Sequence, residues 1–344
     1  MRVEIVNPAQ EPEWDRKILA TRGYCCFHTS AWASVLADSF QYQPRYFILQ
    51  EQGALRGLLP MMEVRSLPTG RRGVSLSFTD YCEPIAADQE AFGALFDAVL
   101  AYGRQAGWQY VELRGGRRFL PEAPAFARYL HHQLPLQGGE QELLAAFHLN
   151  TRRGIKKAAG LGLSVRFDNS LQSVRDFYRL HAMTRKRHGV PPQPFQFFAR
   201  IHELILKRNL GWVVLASGAG ENVAGAVFFH FGDQALYKFG ASDPRYWKLY
   251  PNDLVMWEAI RKYLQLGYRE LSFGRTECDN DGLRRFKASW GSTESELSYY
   301  RYDLKAGRFL AEEADRLGHY AGYLKKLPEP VLGIIGQLLY RHMG

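Results

Sequence analysis

The sequence predicts an α/β protein with mixed sheets, built from two related halves and followed by an amphipathic C-terminal helix. Three observations support this fold class. The 344 residues are 46% apolar and 14% aromatic, which is enough to form two cores of ordinary size. Short apolar runs of strand length alternate with segments of helical period. The same order of these segments occurs twice along the chain, which indicates an internal duplication.

The first half contains a predicted hairpin, a strand, a helix and a final strand. Residues 45–50 and 55–64 are apolar runs separated by a short polar turn, as in a β-hairpin. A third strand is predicted at residues 74–78. Apolar side chains spaced three or four apart over residues 92–100 predict a helix. The chain then returns to a strand at residues 108–113.

The second half repeats this order. Residues 212–215 and 223–231 predict another hairpin, and residues 235–239 predict the strand that follows it. A helix is expected over about residues 253–266. Residues 267–273 then repeat the glycine, aromatic and alternating apolar pattern that precedes and forms the last strand of the first half. Two separate segments therefore predict one architecture.

Predicted domain boundaries follow from the polar, helix-favouring segment that lies between the halves, at residues 138–160. We expect one domain over residues 1–138, a second over residues 139–304 and a helical extension over residues 305–344. The extension has apolar residues at positions i, i+3, i+4, i+7 and i+8 with basic residues on either side. The apolar residues are Val331, Ile334, Ile335, Leu338 and Leu339, and the basic ones are Lys325, Lys326 and Arg341. A core or dimer helix and a membrane-surface helix both fit this pattern.

Charge and composition restrict the partners. Lys and Arg number 44 against 35 Asp and Glu, and the resulting +9 favours anionic partners such as phosphates or acidic headgroups. A DNA partner is not expected, because acidic residues are interspersed throughout and no DNA-reading motif is present. The first 16 residues are acidic, unlike a secretory signal, and no run reaches the ~18 apolar residues of a membrane span. We therefore expect a cytoplasmic protein.

Cofactor motifs are lacking in the sequence. The four cysteines, Cys25, Cys26, Cys82 and Cys278, have neither CxxC spacing nor a metal-type pairing with histidines, so free thiols are expected and no metal. No Gly-x-Gly-x-x-Gly follows a predicted strand, which disfavours flavin and nicotinamide.

The richest candidate site is the polar stretch over residues 272–291, directly after a predicted strand. Open α/β sheets form ligand crevices at such strand ends. Arg275, Glu277, Asp279 and Asn280 lie at the start of this stretch. The alternative is a turn that caps the next helix, with Asp279 or Asn280 as the N-cap residue, and capping does not exclude a functional role.

Residues 282–291, with Phe286 and Lys287 followed by a Trp-Gly pair, resemble a motif of the Fem family of peptidoglycan bridge-forming transferases. Residues 150–158 are similar to the basic helix between the two GNAT-like halves of that family, and residues 177–192 add to the match. The chain also resembles GNAT-fold acetyltransferase relatives associated with exopolysaccharide or protein-sorting systems. The resemblance implies tandem GNAT-like acyltransferase domains and acyl transfer to an amine.

The resemblance also implies roles for individual residues. Lys287 would stabilise the negative charge that develops on the carbonyl oxygen during amine attack. Phe286 would shape the site. Apart from the resemblance, a nucleophilic amine must lose a proton, and the candidates to take it, directly or through water, are Glu277, Asp279 and Asp281. The candidate substrate-binding residues are Arg152, Lys156, Arg185, Tyr237, Asn252, Arg275, Asn280 and Phe286. Each charged residue among them also has a structural explanation, as a solvated helix face or a helix terminus.

The co-substrate is expected to be an acyl-CoA or an aminoacyl-tRNA, with no tightly bound cofactor. Ordinary GNAT enzymes have an Arg-x-x-Gly-x-Gly/Ala loop for the coenzyme A pyrophosphate, whereas residues 246–252 of this chain differ from that pattern. We expect an anionic or carrier-linked donor and an amine acceptor on a cell-envelope or exopolysaccharide precursor. One alternative is acyl-CoA-dependent N-acetylation of a nucleotide-linked amino sugar. Another is a non-catalytic anion-binding or scaffolding protein.

Overall fold

The computed structural model describes residues 2–218, 220–311 and 321–343. They divide into two compact units. The first comprises residues 2–129, 296–311 and 338–343, and the second comprises residues 130–218, 220–295 and 321–337. The predicted domain boundaries near residues 138 and 304 stay predictions.

The strands are β1 (Val3–Val6), β2 (Gln43–Glu51), β3 (Ala54–Ser66), β4 (Gly70–Ser75), β5 (Ile85–Ala86), β6 (Tyr110–Arg114), β7 (Ala127–Pro135), β8 (Ser164–Phe167), β9 (Gly211–Gly218), β10 (Glu221–Phe231), β11 (Gln234–Ser242), β12 (Glu270–Glu277), β13 (Thr293–Asp303) and β14 (Arg308–Leu310). The α-helices are α1 (Trp14–Leu19), α2 (Ser30–Phe40), α3 (Gln89–Gln105), α4 (Glu140–Ala146), α5 (Leu149–Gly160), α6 (Leu171–His188), α7 (Phe195–Leu204), α8 (Pro251–Gln265), α9 (Asp281–Ala288), α10 (Ala321–Leu324) and α11 (Glu329–Leu339).

The first unit is a mixed sheet packed against α3. Its strand order is β1-β2-β3-β4-β6, followed by the part of β13 from Glu296 onward. Strands β4 and β6 are parallel, and the other neighbours in this order are antiparallel. The core is formed by Leu95 and Val99 of α3 against Phe47, Leu59 and Val111 of the sheet.

The second unit has the same construction. Its strand order is β7-β12-β11-β10-β9-β8, with β11 and β12 parallel and β8, β9, β10 and β11 antiparallel to one another in sequence. Helices α5 and α8 cover a core in which Ile155, Val255 and Ile260 pack against Phe228 and Leu271 of the sheet. The predicted order of hairpin, strand, helix and strand is therefore confirmed in both halves.

Two predicted element boundaries are wrong. The third strand was expected to extend to Phe78 but ends at Ser75, and Phe78 has a φ of 59°, which a strand cannot contain. Helix α8 was expected to begin after Asn252 as its N-cap. It begins at Pro251, with Tyr250 as the N-cap residue. Proline suits the first helical position because it lacks the N–H that would be unsatisfied there.

The predicted C-terminal helix is confirmed as α11, but its apolar stripe does not complete a core. Val331, Ile334 and Leu338 are exposed, whereas Leu332 and Gly336 are buried. Gly336 lies so close to the carbonyl oxygen of Pro192 that a Cβ would clash with it. None of the described helices is both long and apolar enough to cross a membrane.

Candidate active site

Strands β11 and β12 of the second unit stop pairing before their carboxyl ends, and the region between these unpaired ends is called the crevice below. They pair in parallel at only three positions, the last of which joins Leu236 to Ser272, although β11 continues to Ser242 and β12 to Glu277. A bulge at Lys238 shifts the register of β11 on β10 just after the last pair. Bulges bend strands and redirect side chains. In the first unit, β4 and its pairing with β6 both end at Ser75.

Lys287 is the most deeply buried charged residue of the predicted set. It lies in the last turn of α9, its side chain is 2% exposed, and its ammonium group donates hydrogen bonds to two backbone carbonyls at the end of β12. The Nζ atom lies 3.2 Å from the oxygen of Gly274 and 2.7 Å from that of Arg275. These bonds fix a positive charge at the carboxyl end of the separated strand.

A hydrogen-bond network fixes the backbone segment whose carbonyl groups accept the hydrogen bonds of Lys287. Gly274 has a φ of 66°, and its N–H donates to the hydroxyl of Ser272 at 3.1 Å. The same hydroxyl lies 2.8 Å from Nε2 of His131. On the adjacent position of β7, His132 is fully buried. Its pKa is lowered by burial and by the charge of Lys287, so it is neutral at physiological pH.

Two aromatic residues of the predicted set, Tyr237 and Phe286, pack against the core of the second unit. Tyr237 contacts the rings of Phe228 and Phe273, and its phenol lies against the Cα of Gly240. Burial raises the pKa of Tyr237 to about 12, which keeps it protonated. Phe286 packs against the core of the second unit next to Trp290, with ring centroids 6.2 Å apart.

The amino end of α8 forms the other part of the site. Tyr250 is an exposed residue with a φ of 55°, a conformation that is strained for a bulky side chain. Asn252 does not cap the helix, and its Nδ2 instead donates to Ser242 Oγ at 3.0 Å. The same hydroxyl accepts from Nε1 of Trp247 at 2.9 Å.

Asp253, in the first turn of α8, is a partly exposed carboxylate packed against α5. Gly154 of α5 approaches it so closely that a Cβ at position 154 would clash with its Oδ2. Among the described residues none donates a hydrogen bond to this carboxylate or forms an ion pair with it. Burial raises the pKa of Asp253 to about 6.

Helix α5 connects Asp253 with the region of Lys287. Thr151 Oγ1 donates to Ser289 Oγ at 2.9 Å, two residues after Lys287. Gly154, which touches Asp253, lies three residues further along α5, which is a rise of about 4.5 Å. Asp253 and Lys287 therefore lie at the same end of the second unit.

Other residues of the predicted set face solvent or make local hydrogen bonds. Arg152 and Lys156 are exposed on the solvent face of α5, and Arg185 is a half-buried residue of α6 whose Nε donates to the oxygen of Pro191 at 3.4 Å. The prediction that Asn280 caps α9 is confirmed, because its Oδ1 accepts from the N–H of Leu283.

The predicted proton acceptors are solvent-exposed. Glu277 and Asp279 are both exposed, and Glu277 lies 3.8 Å from Arg275.

Cations from two helices cover aromatic rings beside α8. Lys157 lies 5.0 Å from the ring centroid of Tyr250, and the guanidinium of Arg187 lies 4.7 Å from that of Trp247.

Sequence reasoning missed Asp253 and the histidines at positions 131 and 132. The two histidines occupy adjacent positions of β7, a strand that was not predicted, so their side chains lie on opposite faces of the sheet. No pattern in the sequence around Asp253 indicates its role, because Gly154, which packs against its carboxylate, belongs to a distant segment of the chain.

The family comparison identifies the region that contains the site. Residues 145–288 match the family described as acetyltransferase (GNAT) domain. This region is therefore similar to a GNAT acetyltransferase domain. It includes the crevice, Asp253 and Lys287. No curated protein matches the sequence.

Solved structures extend the fold similarity to most of the chain. FemX is 14% identical with a TM-score of 0.73, and the match covers 89% of this chain and 98% of FemX. A tandem GNAT protein from the clavulanic acid biosynthesis pathway is 11% identical with a TM-score of 0.56, over 88% of this chain and 99% of that one. The C-terminal domain of a putative lysylphosphatidylglycerol synthetase from Agrobacterium fabrum is 15% identical with a TM-score of 0.54, over 83% and 89%.

At these identities the structural similarity establishes the fold alone. The predicted fold class, α/β with tandem GNAT-like halves, is confirmed. The GNAT domain also supports the general prediction of an acyltransferase.

Proposed function

We propose that the protein is an N-acyltransferase that moves an acyl or aminoacyl group from a carrier to an amino group of a cell-envelope or exopolysaccharide precursor. The observation that carries this proposal is the fixed ammonium of Lys287 at the open end of β12. As an amine attacks a carbonyl carbon, negative charge develops on the carbonyl oxygen. A charge already held by the carbonyls of Gly274 and Arg275 stabilises that oxygen without reorganising.

The test compares Lys287→Met with Lys287→Arg. Methionine keeps the volume and removes the charge, whereas arginine keeps the charge in a different geometry. Removing one such donor should lower kcat by about 10²–10³-fold with little change in KM, and arginine should retain part of the activity. The exposed Lys207→Met is the matched control, and thermal unfolding checks that each variant folds. Full activity of Lys287→Met would remove the catalytic role of Lys287.

For the donor we propose a carrier with phosphate groups, held by the exposed cations of α5. Arg152 and Lys156 face solvent on this helix. Removing both charges should raise the donor KM and weaken its dependence on salt. Acetyl-CoA, longer acyl-CoAs and an aminoacyl-tRNA are the probes. The acetyltransferase family match favours acyl-CoA and gives no support to a tRNA carrier, whereas the altered loop at residues 246–252 disfavours the usual pyrophosphate contact.

Ligand-induced stabilisation separates these donors, since a ligand at ~100 times its Kd stabilises the fold by about 2.7 kcal/mol. Stabilisation by an acyl-CoA together with turnover of a nucleotide-linked amino sugar would support the second candidate function, N-acetylation of that sugar. Binding of donors with no product from any amine would indicate a non-catalytic anion-binding protein.

We also propose that α11 contacts the inner face of an anionic membrane from the cytoplasm. Its exposed Ile334 and Leu338 are 60% and 63% exposed, on a helix flanked by exposed Lys325, Lys326 and Arg341. One apolar stripe with basic flanks suits an anionic bilayer surface.

The vesicle test uses Ile334→Gln combined with Leu338→Gln. This variant should lose binding to vesicles that contain phosphatidylglycerol, while neutral vesicles should bind neither form. Leu67→Gln is the matched control, because Leu67 is 99% exposed and lies outside α11. Substitution is preferable to truncation, since Leu332 and Tyr340 are buried. Unchanged binding of the double variant would contradict membrane contact.

A further inference from the structure

We infer that Asp253 receives the acceptor amine, so that its carboxylate binds the substrate as an ammonium ion and then takes one of its protons. This inference rests on the proposed amine acylation and names the chemical class of the acceptor as a cationic primary amine. Asp253 is neither in the Fem-like motif nor among the residues that the sequence predicted.

The placement of the Asp253 carboxylate supports this role. Asp253 is packed against Gly154 yet remains partly exposed, so a small group can reach it. Gly154 is required for this approach because any Cβ at that position would displace the carboxylate. A desolvated charge that lacks a partner among the described residues destabilises the fold, and such an arrangement is typical of functional carboxylates.

The cations of the segments next to Asp253 are engaged with other groups. From α5, Lys157 lies over the ring of Tyr250. From the 3₁₀ segment Pro244–Leu249, Arg245 is bound to Asp243, with NH2 2.7 Å from Oδ2. Burial alone, with no charged neighbour, accounts for the pKa of about 6 at Asp253. A general base is most effective when its pKa lies near the working pH.

One carboxylate and one leaving group account for every proton and bond in the proposed reaction. The ammonium ion gives a proton to Asp253 and becomes a free amine, whose nitrogen attacks the donor carbonyl carbon. The C–N bond forms, and the bond from carbon to the sulfur or oxygen of the carrier breaks. The second proton of the nitrogen leaves with the carrier as a thiol or hydroxyl, and Asp253 releases its proton to water.

The same charge selects against a different ligand. Free N–H groups at a helix N-terminus ordinarily attract phosphate, but a carboxylate in the first turn of α8 repels it. Asp253 therefore favours a cationic acceptor over a pyrophosphate at this end of α8. This agrees with the altered loop at residues 246–252.

The experiment measures kcat/KM against pH for the wild type, Asp253→Asn and Asp253→Glu, with the donor and amine that give turnover in the wild type. We expect wild-type kcat/KM to fall below about pH 6, a 10²–10⁴-fold loss in Asp253→Asn without that acid limb, and partial recovery in Asp253→Glu. Glu140→Gln, at an exposed acidic residue in the first turn of α4, is the matched control. Asparagine has the same shape, and thermal unfolding confirms that the variant folds.

Activity of Asp253→Asn within threefold of the wild type, with the same acid limb, would overturn this inference and leave the proposed acyl transfer intact. A wild type that acylates no amine with any of the donors would overturn both. A loss in Asp253→Asn that is equal at every pH, with the acid limb retained, would also reject the base role.

Discussion

Replacing Asp253 by asparagine should stabilise the protein at neutral pH. The usual pKa of an aspartate is 3.8, and burial raises that of Asp253 to about 6, so folding must keep a carboxylate charged where protonation is preferred. This difference corresponds to about 3 kcal/mol at pH values above about 6. Asparagine also loses a favourable interaction with the helix N-terminus, worth about 0.3–1 kcal/mol. The expected net gain is therefore about 2 kcal/mol.

The direction in which folding stability changes with pH follows from the raised pKa of Asp253. A carboxyl group with a raised folded-state pKa is most favourable to folding when protonated, below pH 3.8, and this contribution is lost as the pH rises through about 6. The advantage of Asp253→Asn should thus be small near pH 4 and constant above about pH 7. A gain of about 2 kcal/mol raises Tm by roughly 4–8 °C in a unit of this size.

The assay is thermal unfolding of the wild type, Asp253→Asn and the control Glu140→Gln between pH 4 and pH 8. A lower Tm for Asp253→Asn at pH 7.5 would refute the reasoning, because it would mean that the charge has a stabilising partner. A gain that is equal at every pH would do the same. A variant that is more stable and less active would show that the wild type retains the charge for function.

Three further predictions concern the support of the site. Asn280→Ala should lower the free energy of unfolding by about 1 kcal/mol, measured by urea denaturation, because the cap on Leu283 is lost. Ser272→Ala should cost about 1–3 kcal/mol and lower kcat, because the hydroxyl that binds His131 and the N–H of Gly274 is removed; unchanged kcat would separate this network from catalysis. Gly336→Ala should loosen α11 through a clash with a carbonyl oxygen and speed tryptic cleavage after Lys325 or Lys326, whereas equal cleavage rates would contradict the contact.

The duplicated architecture could be predicted because its signals are local. Alternating apolar residues define the hairpins, and helical spacing defines α3 and α8. Asn280 could be predicted as a cap because it directly precedes a helix within the same short stretch. Even the misplaced start of α8 follows from a local ambiguity, since Pro251 and Asn252 are both typical of helix starts and Pro251 takes the first helical position.

The site itself could be predicted only in part. Lys287 was identified by its motif, but its burial depends on carbonyls of β12 that lie 12 and 13 residues earlier. Asp253 could not be identified, because its pKa depends on Gly154 in a helix far away along the chain. Glu277 and Asp279 are acidic residues in a polar loop, a pattern that indicates a functional role. Exposed carboxylates are common, however, and this loop leaves both in solvent.

The separation of β11 from β12 has a consequence for amide hydrogen exchange. Among the described strands β11 pairs only with β10 after Leu236, so alternate backbone N–H groups of residues 239–242 point away from β10. Such amides exchange with solvent faster than those between paired strands. A donor or acceptor that enters the crevice and covers the segment should slow their exchange. The strand would thereby report occupancy of the crevice, even for a ligand whose chemical identity has yet to be determined.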